Sequence, residues 1–170
     1  LLPFHHPLEL AHRVAYLDHM AEGRYQLGVG IGVLPTDHAL FTLDANFGRN
    51  RKMTFEAIDL MTRLWTDGAT DFQGEFWSMG QTRSELPLGY HLVPYQKPHP
   101  PIAIAGLTAG SENHKLAGEK GWIPVSLGID PDASVTAQHW DAVVEGQLPD
   151  MGLDLVRIGL VRCGQGCGTG

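Results

Sequence analysis

Pro101-Ile102-Ala103-Ile104-Ala105-Gly106-Leu107-Thr108-Ala109-Gly110-Ser111-Glu112 is the stretch on which the fold turns. Ile102 to Ala105 is a short apolar run with the look of a buried strand. A glycine-containing loop follows, then a helix from Ser111 to Lys120 closed by Gly121, then a second apolar run from Trp122 to Leu127. Strand, helix and strand in immediate succession are the signature of a parallel sheet built from βαβ units. Such a helix turns its N-terminus, the positive end of its dipole, toward the C-terminal edge of the sheet. The stretch from Ala105 to Glu112 is therefore a candidate anion site. The plainer reading of the same residues is that Thr108 or Ser111 only caps its own helix.

The alternation extends outward on both sides. Upstream, Pro7 opens a helix running to Met20, with apolar residues at 10, 14 and 17 and at 8, 11 and 15, and Gly23 lies just past its end. Tyr25 to Val33 reads as a strand carrying Gly28, Gly30 and Gly32. Leu1 to Phe4 reads as the end of another strand, which would set His5 and His6 at the same sheet edge. Pro35 to Gly48 reads as a loop, and Arg49 to Thr66 as a helix with Ala57, Ile58, Met61, Leu64 and Trp65 in one stripe. Downstream, Asp130 caps a helix from Pro131 to Gly146. Asp67 to Pro101 departs from this rhythm: it is far longer than a usual connection, carries one hairpin, and holds Phe72, Phe76, Trp77, Tyr90 and Tyr95. Beyond Gly146 glycines crowd the chain, and residues 147–170 read either as a divergent strand near Leu153 to Arg162 or as a change of reading frame in the coding sequence.

Composition narrows the chemistry. In 170 residues, 12 Lys+Arg face 19 Asp+Glu, a formal charge of −7 with 43% apolar residues. The positive charges are scattered, so there is no footprint for nucleic acid, and no apolar run approaches the ~20 residues of a membrane span. Cys163 and Cys167 are the only cysteines, which excludes a disulfide framework and makes a reducing, cytoplasmic setting the default. As a lone pair they do not make a metal site. No nucleophile elbow is present. Gly28-Val29-Gly30-Ile31-Gly32 lacks the third glycine spacing of a dinucleotide fingerprint, and Leu34 to Asp37 read as loop rather than helix; close backbone packing explains these glycines better. His12 and His19 share a solvated helix face, and histidines 38, 91, 99, 114 and 139 are dispersed without ligand spacing. A chain with an anion seat and many aromatics, but no nucleophile or metal of its own, leaves the hard chemistry to a bound cofactor.

Several segments, in order and spacing, resemble the luciferase-like flavin-dependent monooxygenases, the family of bacterial luciferase and of limonene monooxygenase-like proteins. They are Leu2-Pro3-Phe4-His5-His6-Pro7, Leu17-Asp18-His19-Met20-Ala21-Glu22-Gly23-Arg24, Leu27-Gly28-Val29-Gly30, Leu64-Trp65-Thr66 with Phe72-Gln73-Gly74-Glu75-Phe76-Trp77, and Pro98-His99-Pro100-Pro101-Ile102. The likeness spans residues 1–146. It implies the central part of a (β/α)8 TIM barrel, incomplete because such barrels take about 250 residues. It also implies reduced FMN, or a deazaflavin in a sister branch, with the flavin supplied in some members by a separate reductase. One atom of O2 then passes to an apolar substrate of the terpene, alkane or aldehyde class, and the other leaves as water.

Carried over by position, Gly106, Thr108, Gly110 and Ser111 would seat the flavin phosphate, Gly30 and Gly32 would lie beside the flavin, and His6 would stand at the substrate edge. Phe76 and Trp77 would wall or cover the pocket. Where bacterial luciferase has a phosphate-contacting arginine, this chain has Ile31. The complete protein would be a homo- or heterodimer. The 170 residues alone would be an inactive open sheet with exposed apolar edges. A deazaflavin oxidoreductase on the same barrel and a non-catalytic flavin-binding subunit are the two rival functions.

Overall fold

The computed structural model describes residues 1–41, 46–68, 71–80, 93–126 and 133–147. The chain divides into two compact units, Leu1–Ala105 and the part from Gly106 onward. The expectations for Tyr90, for the Asp130 cap and Pro131, and for residues 148–170 with Cys163 and Cys167 lie outside the described residues.

In the first unit, α1 (Pro7–Met20), β1 (Leu27–Val29), α2 (Pro35–Leu40) and α3 (Phe47–Thr66) lead to a two-stranded hairpin, β2 (Phe72–Gln73) and β3 (Ser78–Met79), and then to β4 (Ile102–Gly106). β1 and β4 pair in parallel with Leu27 opposite Ile102, Gly28 opposite Ala103 and Val29 opposite Ile104. The second unit holds α4 (Glu112–Lys120), β5 (Ile123–Ser126) and α5 (Ala133–Gly146). Helices alternating with short strands make this an α/β fold, and the described strands do not close a barrel.

The core of the first unit lies between α1 and α3. Ala11, Val14 and Ala15 are buried on one side, and Ala57, Ile58, Met61, Leu64 and Trp65 on the other, which is the stripe read from spacing. The two alanines of α1 let α3 approach closely enough for the Trp65 indole N–H to donate to the Ala11 carbonyl at 3.2 Å. Burying side chains of this size stabilises a fold by about 1.5–3 kcal/mol each for the largest ones.

Three local expectations are corrected. Leu2–Phe4 is a 3-10 turn rather than a strand end. Pro3 has no N–H to give to a ladder and its fixed φ suits the turn, although the Leu2 N–H still bonds the Gly30 carbonyl at 3.1 Å. Pro35–Leu40 is a helix, not a loop, with Pro35 in its first turn and Asp37 at its positive end; six residues are too few to display a 3.6-residue period. Ser111 occupies the N-cap position of α4, but its hydroxyl makes no capping bond. The other cap expected at a terminus is present: Gly121 has φ +65°, and Trp122 N–H reaches back to the Ala117 carbonyl at 2.8 Å.

Candidate active site

β4 ends at Gly106, where the second unit begins, and the chain crosses Leu107 to Gly110 before α4 starts. Thr108, Ala109 and Gly110 are exposed and Ser111 is buried. Gly110 has φ +62° with open space where a Cβ would stand, so the loop turns sharply here and leaves its outer side clear. The four residues assigned to the anion seat thus lie on one loop at a helix N-terminus. Glu112 is the only acidic residue of the first turn. Lys115, farther along α4, is engaged by Glu145 at 2.9 Å, a bond that raises the lysine pKa.

Beneath this loop lie two histidines that sequence reading left dispersed. His114 on α4 and His139 on α5 are 0% and 2% exposed, and their ring centroids are 4.3 Å apart at 61°. A carbonyl oxygen can only accept, so each ring is assigned its proton by geometry. His114 donates from Nε2 to the Val125 carbonyl at 3.2 Å, and His139 donates from Nε2 to the Thr108 carbonyl at 2.9 Å. His139 Nδ1 then accepts from the Ser126 hydroxyl at 3.1 Å. His114 Nδ1 is buried with no hydrogen-bond partner, and it would stand 2.7 Å from a Cβ placed on Gly106, as would Ser111 Oγ. Glycine at 106 is therefore what lets this imidazole pack against the strand end. His139, Ser126 and Thr136 also line an open cavity of about 320 Å³ with Val125 and Trp140.

Burial holds the His114 pKa below its ordinary 6.5, with neighbouring His139 adding in the same direction against the Val125 carbonyl. In the unfolded chain the ring takes a proton near pH 6.5, whereas in the fold it does so only at lower pH. The stability that this creates is complete above about pH 6.5 and falls away as acidification proceeds toward the folded pKa. Urea midpoints of the complete protein are expected to drop between about pH 7.5 and 5, and His114→Gln to flatten that dependence; parallel pH curves for the two proteins would rule it out.

In the first unit, β2 and β3 carry Phe76 and Trp77 in the turn between them. The Glu56 carboxylate, on α3, accepts the N–H groups of Glu75, Phe76 and Trp77 at 2.9, 2.9 and 2.7 Å. A Cβ on Gly74 would collide with that carboxylate. Trp77 also donates its indole N–H to the Met53 carbonyl at 3.4 Å, and the Arg49 guanidinium lies 5.7 Å from the centre of the Phe76 ring. His6, at the N-cap of α1, accepts the Leu8 N–H on Nδ1 at 3.3 Å, so its proton is on Nε2, and its ring meets Trp77 edge-on at 5.4 Å. His6, Phe76 and Trp77 are thus brought together. Glu56 was not singled out in the sequence because its three partners lie in a turn distant along the chain.

Gly30 and Gly32 follow β1. Gly32 has φ +70° and is buried, with Phe4 Cζ 2.9 Å from where a Cβ would stand, and its carbonyl accepts from His38 Nε2 at 3.1 Å. Gly30 abuts Leu1, whereas Gly28 has nothing within 4 Å; close packing explains the second and third glycines and not the first. Among the described residues no three His, Cys, Asp or Glu side chains group as metal ligands, and no helix is long and apolar enough to cross a membrane.

Comparison with known proteins places the chain in a family. The family model described as luciferase-like monooxygenase matches residues 1–152. The chain is 29% identical over 173 residues to 3,6-diketocamphane 1,6-monooxygenase of Pseudomonas putida, covering 88% of this chain and 45% of that protein. It is 31% identical over 131 residues to 4-hydroxyprotoasukamycin monooxygenase of Streptomyces nodosus subsp. asukaensis, covering 76% of this chain and 33% of that one. Among solved structures, a type II Baeyer-Villiger monooxygenase, the oxygenating constituent of 3,6-diketocamphane monooxygenase from Pseudomonas putida in complex with FMN, superposes with a TM-score of 0.73 at 27% identity. That superposition covers 88% of this chain and 43% of the neighbour. The chain spans less than half the length of these relatives, and it belongs to the luciferase-like monooxygenase family.

Proposed function

We propose that the complete protein uses reduced FMN and O2 to place one oxygen atom in an apolar organic substrate, with the loop from Gly106 to Ser111 as the seat of the flavin phosphate. The observation that carries the seat is Gly110, open on its outer side at φ +62°, directly before a helix whose N-cap hydroxyl is not spent on capping. The donor set suits a phosphate: the hydroxyls of Thr108 and Ser111, loop N–H groups, and the positive end of α4. Lys115 is turned to Glu145, so what the loop itself offers the dianion is dipoles and hydroxyls.

Reduced FMN, when bound, supplies the electrons and the activation of O2. The chain's own part is to hold the cofactor, shape the pocket and keep water out. Phe76 and Trp77, in the first unit, suit an apolar wall for a substrate, because Glu56, Met53 and His6 hold their hairpin. His6, protonated on Nε2, offers a donor to a substrate oxygen. The relatives are named for a camphane diketone and an asukamycin precursor, so this chain's substrate class is set no more narrowly than an apolar carbon skeleton, with terpenes, alkanes and aldehydes as first candidates. A separate reductase would deliver the reduced flavin, and the protein would work as a dimer in the cytoplasm.

The test is O2 uptake and product analysis on the complete protein with FMN, reductant and candidate terpenes or aldehydes. Absence of any substrate-dependent oxygenated product overturns the reading, and turnover with reduced deazaflavin without O2 uptake would replace it with the hydride-transfer alternative. Ser111→Ala is expected to weaken FMN binding about fivefold, the loss of one hydrogen bond worth about 1 kcal/mol, as read by fluorescence titration.

A further inference from the structure

We propose that His139 is a positioning residue of the phosphate seat, fixing the loop between β4 and α4 through the Thr108 carbonyl so that the next peptide N–H faces the flavin phosphate. This rests on the seat proposed above and deepens it. The buried face of α5 is made of His139, Ala142, Val143 and Gly146, at helical spacing. One imidazole stands where an aliphatic side chain would pack without any polar atoms to satisfy. Its desolvation is offset by two hydrogen bonds, both directed to the ends of strands: Thr108 just after β4 at 2.9 Å, and Ser126 at the end of β5 at 3.1 Å.

The consequence follows from peptide geometry. The Thr108–Ala109 bond is planar and trans, so the carbonyl of Thr108 and the N–H of Ala109 point in opposite directions. His139 draws the carbonyl inward toward α5, and the Ala109 N–H is thereby turned away from α5; at the next residue, Gly110, nothing lies within 4 Å of where a Cβ would stand. His114, edge-on to His139 at 4.3 Å and packed beneath Gly106, braces the start of the same loop. The two rings support one strand-end loop at two points, Gly106 and Thr108. A ligand without a phosphate gains nothing from this arrangement.

Equilibrium binding of FMN and of riboflavin to the complete protein separates phosphate recognition from ring recognition. The wild type is expected to prefer FMN. His139→Leu is expected to weaken FMN about tenfold while leaving riboflavin unchanged, and His139→Gln, whose amide N–H reaches in the direction of Nε2, to retain FMN affinity within about twofold. Should His139→Leu fail to fold, Ser126→Ala, at an exposed position, frees the other side of the ring and is expected to weaken FMN alone about threefold. Unchanged FMN preference in these variants, or equal weakening of FMN and riboflavin, overturns the role of His139. Gly110→Asp is the separate check on the seat: it is expected to cut FMN affinity at least about tenfold. If the wild type does not distinguish FMN from riboflavin, or Gly110→Asp leaves FMN affinity unchanged, the seat itself falls and the inference with it. If Gly110→Asp acts and His139→Leu does not, the seat stands and the inference alone fails.

Discussion

Gly118→Ala is expected to destabilise the second unit by about 3 kcal/mol, although alanine is the better helix former by about 1 kcal/mol. The two effects oppose each other, and the contact decides. Gly118 lies on the buried face of α4, where a Cβ would overlap the carbonyl oxygen of Val143 on α5 and stand 3.0 Å from its carbonyl carbon. Gly146 faces back in the same way: a Cβ there would overlap the Lys115 carbonyl oxygen and lie 2.8 Å from its carbon. These neighbours are backbone, so no rotamer change relieves the clash; one helix must move off the other and open a gap along Ala117, Ala142 and Val143, all buried. The effect reaches the candidate seat, because α5 carries His139. Urea denaturation of the complete protein, monitored by hydrogen exchange of α4 and α5 amides, reads it directly. A stability equal to or above that of the wild type would mean that the helices do not cross at this distance.

That pair of glycines illustrates what the sequence can and cannot announce. Gly146 is legible as a helix end, since glycine terminates helices for local reasons; that it also touches Lys115 is a fact about a helix earlier in the chain. The same division runs through the fold. The strand from Ile102, the stripe of α3 and the Gly121 cap were readable because period, propensity and capping act within a few residues. α2 was not, being shorter than two helical turns.

The site divides likewise. Gly106, Thr108, Gly110 and Ser111 were legible as neighbours between a strand and a helix, but their sequence leaves an anion seat and a plain helix cap equally open. His6 with Trp77, and His114 with His139, were beyond the reach of spacing: each pair joins different elements, and a lone histidine carries no mark of the carbonyl it will bond. The Glu56 carboxylate was equally silent, since a glutamate on a solvated helix is the ordinary case. The family resemblance contributed the cofactor class, which no residue pattern here implies by itself.

Asp18→Ala is expected to cost about 3 kcal/mol, the second large effect and one that explains why the Leu17-Asp18 to Gly23-Arg24 segment has its form. Asp18 occupies the last turn of α1, where the helix dipole disfavours an anion, and it is 0% exposed. Both oxygens are nevertheless committed: Oδ2 accepts the Gln96 backbone N–H at 2.8 Å and Oδ1 the Gln96 side-chain amide at 2.7 Å. The same amide donates to the Tyr25 carbonyl at 2.8 Å, and His19 donates to the Val93 carbonyl at 2.9 Å. Gly23, at φ +79°, lies under the Tyr95 ring, whose Cδ1 is 3.0 Å from where a Cβ would stand. The end of α1 thus holds the segment from Val93 to Gln96 that feeds β4, and the Leu27 N–H completes the approach by bonding the Pro101 carbonyl at 2.9 Å. Removing the carboxylate strands two donors of Gln96, each worth about 1.5–3 kcal/mol when bonded to a charge, against some relief of the dipole conflict. Asp18→Asn keeps one acceptor oxygen but turns an amide NH2 toward the other donor, so it is expected to lose about half as much. Denaturant midpoints of the complete protein rank the three proteins, and exchange of the Leu27 and Val29 amides reports whether the β1–β4 pairing loosens with them. An Asp18→Ala protein within about 1 kcal/mol of the wild type would show that segment 93–96 is held by Tyr95 and His19 without the buried carboxylate.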